Sequence, residues 1–272
     1  MARPWLRKGI ALAVVASLSL VACKSVKTTD SGVVGVNRKQ SMMVSAKQTE
    51  DMALAAYLQE KQEAGSALNA DRKAYERVRT ISNRLIAQVG VFRQDAQRWN
   101  WEVNVQRKDE VNAYCMAGGK IMVYTGLIDR LKATDDELAA VIGHEIAHAL
   151  REHSRERLSQ AYGASLTLSI LGAAAKLNTQ QQDLLGQAFT VAYTLPHSRE
   201  HESEADLMGL ELTARAGYDP RAAVSLWEKM GNLGGGKPPE ILSTHPSDKT
   251  RAQTLRDAMP KVVPLYEAAR KR

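Results

Sequence analysis

A mostly helical α+β domain, with a small antiparallel or mixed sheet set beside one central helix, is the fold that this 272-residue chain predicts. Three observations carry that expectation. From Gln48 onward about 225 residues remain, enough for a single domain with a substantial core. Most of that length places its apolar residues at helical spacing, while short stretches near 101–106, 111–115 and 120–125 read as strands, with Trp101, Val103 and Val105 alternating in the first. Directly after the strands comes a helix that carries His144-Glu145-Ile146-Ala147-His148. The sequence shows no internal repeat.

At the N-terminus Arg3, Arg7 and Lys8 precede an apolar stretch from Ile10 to Ala22, which is too short to span a bilayer comfortably and reads as a signal peptide over residues 1–22. It ends in Leu20-Val21-Ala22-Cys23, which resembles a bacterial lipobox. That resemblance implies that Cys23 is lipidated and becomes the mature N-terminus, tethering the protein to a membrane surface with no transmembrane helix. Lys24 in the next position, by resemblance to known sorting behaviour, favours the periplasmic side of the outer membrane. The competing reading is a buried cysteine in an ordinary signal sequence. Removing residues 1–22 takes away those three cations, so the net charge of +7 becomes +4, too modest to argue for a nucleic-acid partner. Residues 23–48, with Lys24, Lys27, Arg38 and Lys39 among small polar groups, read as a flexible tether, and residues 49–272 as the folded domain. Besides Cys23 only Cys115 remains, so no intramolecular disulfide is expected. Cys115 reads as a small core residue, placed beside a presumed substrate strand where intermolecular pairing or redox sensitivity stays open.

Within the domain, helices are expected at 49–64 and 70–90, followed by the three strands. Thr134-Asp135-Asp136-Glu137 then forms a capping box, with two acids complementing the helix dipole, and Leu138, Val141, Ile142, Ile146, Ala149 and Leu150 recur with helical spacing behind it. A helical stretch from about 155 to 177 has an apolar centre, Ala164 to Ala175, too short for a membrane span and suited to packing over the preceding helix. Thr179 to Asp183 reads as a turn. The next helix runs from roughly 197 to 216 and stops at Gly217; Asp219-Pro220 starts another, residues 234–239 form a mobile loop beside the cleft, and Ser247 caps a final helix.

The chemistry begins with His144 and His148. At i and i+4 on a helix they project from one face about 6 Å apart, so two imidazole nitrogens can reach one zinc at about 2.0 to 2.1 Å, with Glu145 overhanging as a general base. A third ligand is needed. His153 does not fit the H-E-x-x-H-x-x-G-x-x-H pattern, because Arg151 and Ser154 stand where Gly and His are required. Continued at about 100° per residue, it also points about 140° from His148, as a solvated helix-face histidine does. Glu202 and Asp206, again at i and i+4, offer one carboxylate for the metal and one to accept the second N–H of a ligand histidine. His201 and Glu204 are rival ligands, and a charged solvated helix face is the bland alternative.

The H-E-I-A-H helix, the S-R-x-x-E-x-x-A-D run of residues 198–206, His245-Pro246, and Val111-Asn112-Ala113-Tyr114 followed by Met116 to Leu127 together resemble the gluzincin zinc metallopeptidases that include HtpX, the CAAX prenyl protease and Oma-type proteases, and within them the LoiP-like bacterial outer-membrane lipoprotein proteases. These motifs span residues 111–251. The resemblance implies a zincin-like fold, one zinc held by His144, His148 and Glu202, catalytic Glu145 and a supporting Asp206. Ala117 departs from the pattern, where many relatives carry Pro before the glycine pair.

Several expectations follow. An exposed edge strand, supplied by Asn112 to Tyr114 or by Lys120 to Tyr124, pairs with an extended peptide, which makes Asn112 and Ala113 substrate contacts. The tetrahedral intermediate of peptide hydrolysis wants a donor opposite the zinc, for which His245, Tyr193 and Arg251 are candidates. His245 could instead occupy the open zinc position and keep the enzyme latent. The expected substrates are unfolded or misassembled envelope proteins. A chaperone-like lipoprotein with structural zinc and a zinc amidase acting on the cell wall are the alternatives, the first disfavoured because structural sites usually close with four Cys or His ligands.

Overall fold

A computed structural model describes residues 24–174, 187, 197–233, 240–245 and 249–271. The signal peptide, Cys23, the Thr179–Asp183 turn, Tyr193, the 234–239 loop and the Ser247 cap lie outside the described residues. In chain order the elements are β1 (Lys24–Val26), β2 (Gln40–Met42), α1 (Ala46–Ala64), α2 (Arg72–Ile86), β3 (Glu102–Gln106), β4 (Ala113–Met116), β5 (Lys120–Tyr124), α3 (Thr125–Leu131), α4 (Asp135–Leu150), α5 (His153–Ala174), α6 (Arg199–Arg215), α7 (Ala222–Gly231), α8 (Glu240–Thr244) and α9 (Lys249–Ala269). The α+β expectation holds: helices dominate around a three-stranded and a two-stranded sheet.

The helices start where local chemistry sets them. Ser45 and Gln48 make a capping box for α1, Asp71 accepts from Ala74 N at 2.9 Å to cap α2, and Ser198 caps α6 through His201 N. For α4, Glu137 Oε2 accepts from Thr134 N at 2.9 Å while Thr134 Oγ1 accepts from Glu137 N at 3.3 Å. Every residue of α4 from Glu137 to Leu150 is buried, so this helix is the axis of the core. α6 crosses it at two glycines: a Cβ on Gly209 would lie 2.7 Å from His144 N, and one on Gly143 would lie 3.0 Å from Gly209 O. That backbone approach brings the side chains of α6 onto the His144 face of α4. α7 begins at Ala222 rather than at Pro220, because Asp219 Oδ1 accepts from Arg221 N in a turn that precedes the helix.

In the larger sheet the order is β3-β5-β4, with β5 parallel to β3 and antiparallel to β4. β5 is central and wholly buried. The Lys120–Tyr124 stretch therefore cannot be the free edge, and β4, the strand beside α4, is. The β4–β5 turn that follows Ala117 uses Gly118 and Gly119 at φ +78° and +81°, a conformation open to glycine at little cost.

The segment expected to be a tether is instead a strap laid over the domain. β1 and β2 pair antiparallel, Val34, Val36, Met42 and Val44 are buried, and Val33 N and Val34 N donate to Glu211 Oε2 at 2.8 and 3.2 Å. Composition misled here because the strap has few large apolar groups, and the four it buries act together with backbone donors and charged side chains. Arg38 donates to both oxygens of Glu156 at 2.7 and 2.8 Å and to Glu204 Oε1 at 2.9 Å, and Gln40 Nε2 donates to Glu156 Oε2 at 2.7 Å. Among the described residues no helix is long and apolar enough to cross a membrane.

Burial alone would raise the Glu156 carboxyl, but hydrogen bonds from Arg38, His201 and Gln40 outweigh it and hold it far below the ordinary carboxylate range. Stability from this cluster is therefore complete above the unfolded pKa of about 4.3, begins to fall below it, and is lost as the pH drops through the depressed folded value. Arg38→Ala, at a side chain 24% exposed, is expected to cost about 2 kcal/mol at neutral pH, less than a fully buried pair loses. In urea titrations of metal-free protein the variant should also lose less stability than wild type between about pH 5 and 3. Parallel acid declines would show that Arg38 does not set the Glu156 carboxyl.

Candidate metal centre and active site

On α4, His144 Nε2 and His148 Nε2 stand 3.0 Å apart. From α6 comes Glu202, with Oε1 3.4 Å from His148 Nε2 and Oε2 3.5 Å from His144 Nε2. His245, just past α8, adds its Nδ1 at 3.3 Å from His144 Nε2 and 3.0 Å from Glu202 Oε1. All four residues are buried, and one ligand atom from each lies within 4.8 Å of the others. A tetrahedron with arms of 2.0 to 2.1 Å has edges of about 3.3 Å, so these spacings fit four donors around one zinc. Imidazole and carboxylate are also the donor types zinc accepts.

The electrostatics agree with a cation at that point. Burial would raise Glu202, yet His245, His144 and His148 outweigh it and keep the carboxyl far below its usual range. Burial would lower His144, but Asp206 and Glu202 win and push it up to about 9. Burial drives His148 well below its ordinary value, and His144 and His245 add to it against the opposing pull of Glu202. Metal binding therefore competes with protons for His144.

A second layer holds these ligands. Asp206 Oδ1 lies 3.0 Å from His144 Nδ1, where the sequence reading placed a supporting carboxylate. Arg251, expected at the substrate, is instead committed to carboxylates: its Nε and Nη2 donate to Asp206 at 2.7 and 2.6 Å, and its Nη1 lies 2.9 Å from Glu202 Oε2. Its guanidinium also stacks 3.9 Å from the centre of the Trp227 ring, which in turn meets His144 edge-on at 5.7 Å. Trp227 was not anticipated, because on α7 it is one more apolar residue on an amphipathic face.

His153 corrects the sequence reading. It is fully buried, with Nδ1 2.8 Å from His148 Nδ1 and Nε2 2.9 Å from Glu204 Oε2. The angular argument failed because α4 ends at Leu150 and Glu152 turns the chain with φ +52°, so His153 starts a new helix. The rival ligands lie elsewhere: Glu204 pairs with Arg151 and His153, and His201 Nε2 lies 3.0 Å from Glu156 Oε2.

Glu145 faces a cleft lined by Asn112, Ala113, Cys115, His197 and His245. Its Oε1 is buried with no hydrogen-bond partner among the described residues, and the nearest cationic candidate is His245 Nε2 at 3.4 Å. Burial raises its carboxyl, with His245 and His144 opposing. Cys115 is buried on β4 and burial pushes its thiol well up, as befits a core residue. His197 escaped the sequence reading, since no spacing rule links it to the others. Its ring lies 4.0 Å from that of His148 and stacks 4.9 Å from that of His245.

The metalloendopeptidase OMA1 of Arabidopsis thaliana, described as mitochondrial, is 42% identical over 159 residues, 58% of this chain and 32% of its own. Metalloprotease LoiP of Escherichia coli strain K12 is 27% identical over 253 residues, 93% of this chain and 96% of LoiP. The beta-barrel assembly-enhancing protease of Yersinia pestis is 27% identical over 217 residues, 76% of this chain and 43% of that protein. The chain spans only about a third to a half of the OMA1 relatives' length. The pattern of peptidase family M48 matches residues 72–259, a segment that holds all four converging donors and Glu145, and the chain belongs to that family.

Proposed function

We propose that the protein is a zinc-dependent endopeptidase, lipid-anchored through Cys23 on the periplasmic side of the bacterial outer membrane, that hydrolyses unfolded or misassembled envelope proteins. One observation carries the enzymatic part: a buried Glu145, whose Oε1 has no hydrogen bond among the described residues, sits between a convergent His144–His148–Glu202 donor set and a cleft bordered by a sheet edge. The envelope setting is supported by the leader ending in Cys23, and by similarity to LoiP along nearly its whole length and to a protease whose name links it to β-barrel assembly.

Zinc held by His144, His148 and Glu202 supplies a Lewis acid for the peptide carbonyl and makes attacking water more acidic. The chain's own residues do the rest. β4 offers main-chain hydrogen bonds to an extended peptide, which accepts many sequences and suits unfolded substrates. Asn112 and Ala113 lie at its cleft end. Glu145 takes the proton from water and returns it to the departing amine. Asp206 and Arg251 hold His144 and Glu202 in place. His245, with Nδ1 in the fourth corner of the donor set, blocks the position a substrate needs, so the arrangement is a latent one. His245 sits just past the five-residue α8, with its backbone N–H donating to Ile241 O at 2.8 Å and its ring stacked on that of His197.

Glu145→Gln should lower kcat/KM on unfolded casein by about 10² to 10⁴-fold while zinc content stays at one per chain. Equal cleavage by the variant would remove the protease assignment. His245→Ala should raise basal cleavage several-fold at unchanged zinc content; a fall instead would make His245 a participant in the reaction. Cys23→Ala should leave the protein in the soluble fraction and abolish incorporation of labelled fatty acid, and membrane recovery equal to wild type would discard the anchor.

A further inference from the structure

A histidine that binds a metal through one ring nitrogen needs its other N–H held, since that bond fixes both tautomer and ring orientation. For His144 the partner is Asp206. For His148 it is another imidazole, because His148 Nδ1 meets His153 Nδ1 at 2.8 Å. Two facing imidazoles leave open which one carries the proton. Glu204 removes that ambiguity.

We propose that His153 and Glu204 act as a positioning pair for the metal ligand His148, an inference that rests on the zinc site of the proposed function. Glu204 Oε2 lies 2.9 Å from His153 Nε2, and an ionised carboxylate only accepts. His153 therefore carries its proton on Nε2 and presents a bare Nδ1. His148 must donate its Nδ1–H to that atom, which leaves the lone pair of its Nε2 directed at Glu202 and His144, where the metal belongs. Glu204 cannot swing away to change this, because Arg151 grips it through Nε at 3.1 Å and Nη2 at 2.9 and 3.0 Å, and Arg38 of the N-terminal strap through Nε at 2.9 Å. Both histidines are buried, so water does not compete for the shared proton. The rings of His148, His153 and His197 are also close enough to hold an ion of their own, and that is the rival arrangement.

The test is zinc affinity of the full chain, measured by competition with a chromophoric chelator. His153→Leu should weaken binding about 10- to 100-fold with the fold intact by circular dichroism. His153→Gln, whose side chain can accept from His148 and donate to Glu204, should recover most of it. Affinity in His153→Leu equal to wild type, or loss in His153→Gln as large as in His153→Leu, overturns the pair while leaving the zinc site standing. A wild type that binds no zinc overturns both readings, and two zinc ions per wild-type chain would favour the rival. Should His153→Leu fail to fold, nitrogen-15 spectra of zinc-loaded wild type decide: protons on His148 Nδ1 and His153 Nε2 support the pair, and a proton on His153 Nδ1 refutes it.

Discussion

The site depends on one contact, the crossing of α4 and α6 at Gly143 and Gly209. A side chain at Gly209 would collide with the backbone of α4 and one at Gly143 would press on Gly209 O, and separating the helices would draw Glu202 and Asp206 away from His144 and His148. Neither helix makes the centre alone. α4 supplies two imidazoles and the base, α6 supplies the carboxylates, and the glycine pair sets the distance between them.

What that crossing creates is costly on its own terms. Glu202, Glu204, Asp206, Arg151 and Arg251 are all buried, and an ionised group out of water is tolerated only when its partners are complete. α6 meets the requirement by division: Glu202 and Asp206 serve the metal side and are clamped by Arg251, while Glu204 turns to Arg151, Arg38 and His153. The strap that delivers Arg38 is therefore part of the scaffold of the site. Two carboxylate oxygens stay without a hydrogen bond among the described residues: Glu202 Oε2, which faces the metal position, and Glu145 Oε1, which faces the cleft as a proton carrier must.

Much of this was legible beforehand. The Thr134–Glu137 capping box, the spacing of His144 and His148, and the repetition of that spacing by Glu202 and Asp206 are local facts, and each appears in the structure where helical geometry requires. The readings that failed all involved long-range contacts. The angular reading of His153 extends α4 past a break at Glu152; the substrate reading of Arg251 cannot foresee the carboxylates of Asp206 and Glu202; and the tether reading of residues 23–48 rests on a composition that does not reveal how Glu211, Glu156 and Glu204 bind the part from Lys24 onward. His197 and Trp227 carry no local signal at all.

By itself, then, the sequence determined which residue types stand one helical turn apart, and hence the chemistry available on each helix, because that periodicity is a property of the backbone. Only the tertiary structure decided which helix faces meet, that β4 rather than β5 is the free edge, and which buried charge neutralises which. Those outcomes depend on the close approach of segments far apart in the chain, and no spacing rule along the chain encodes it.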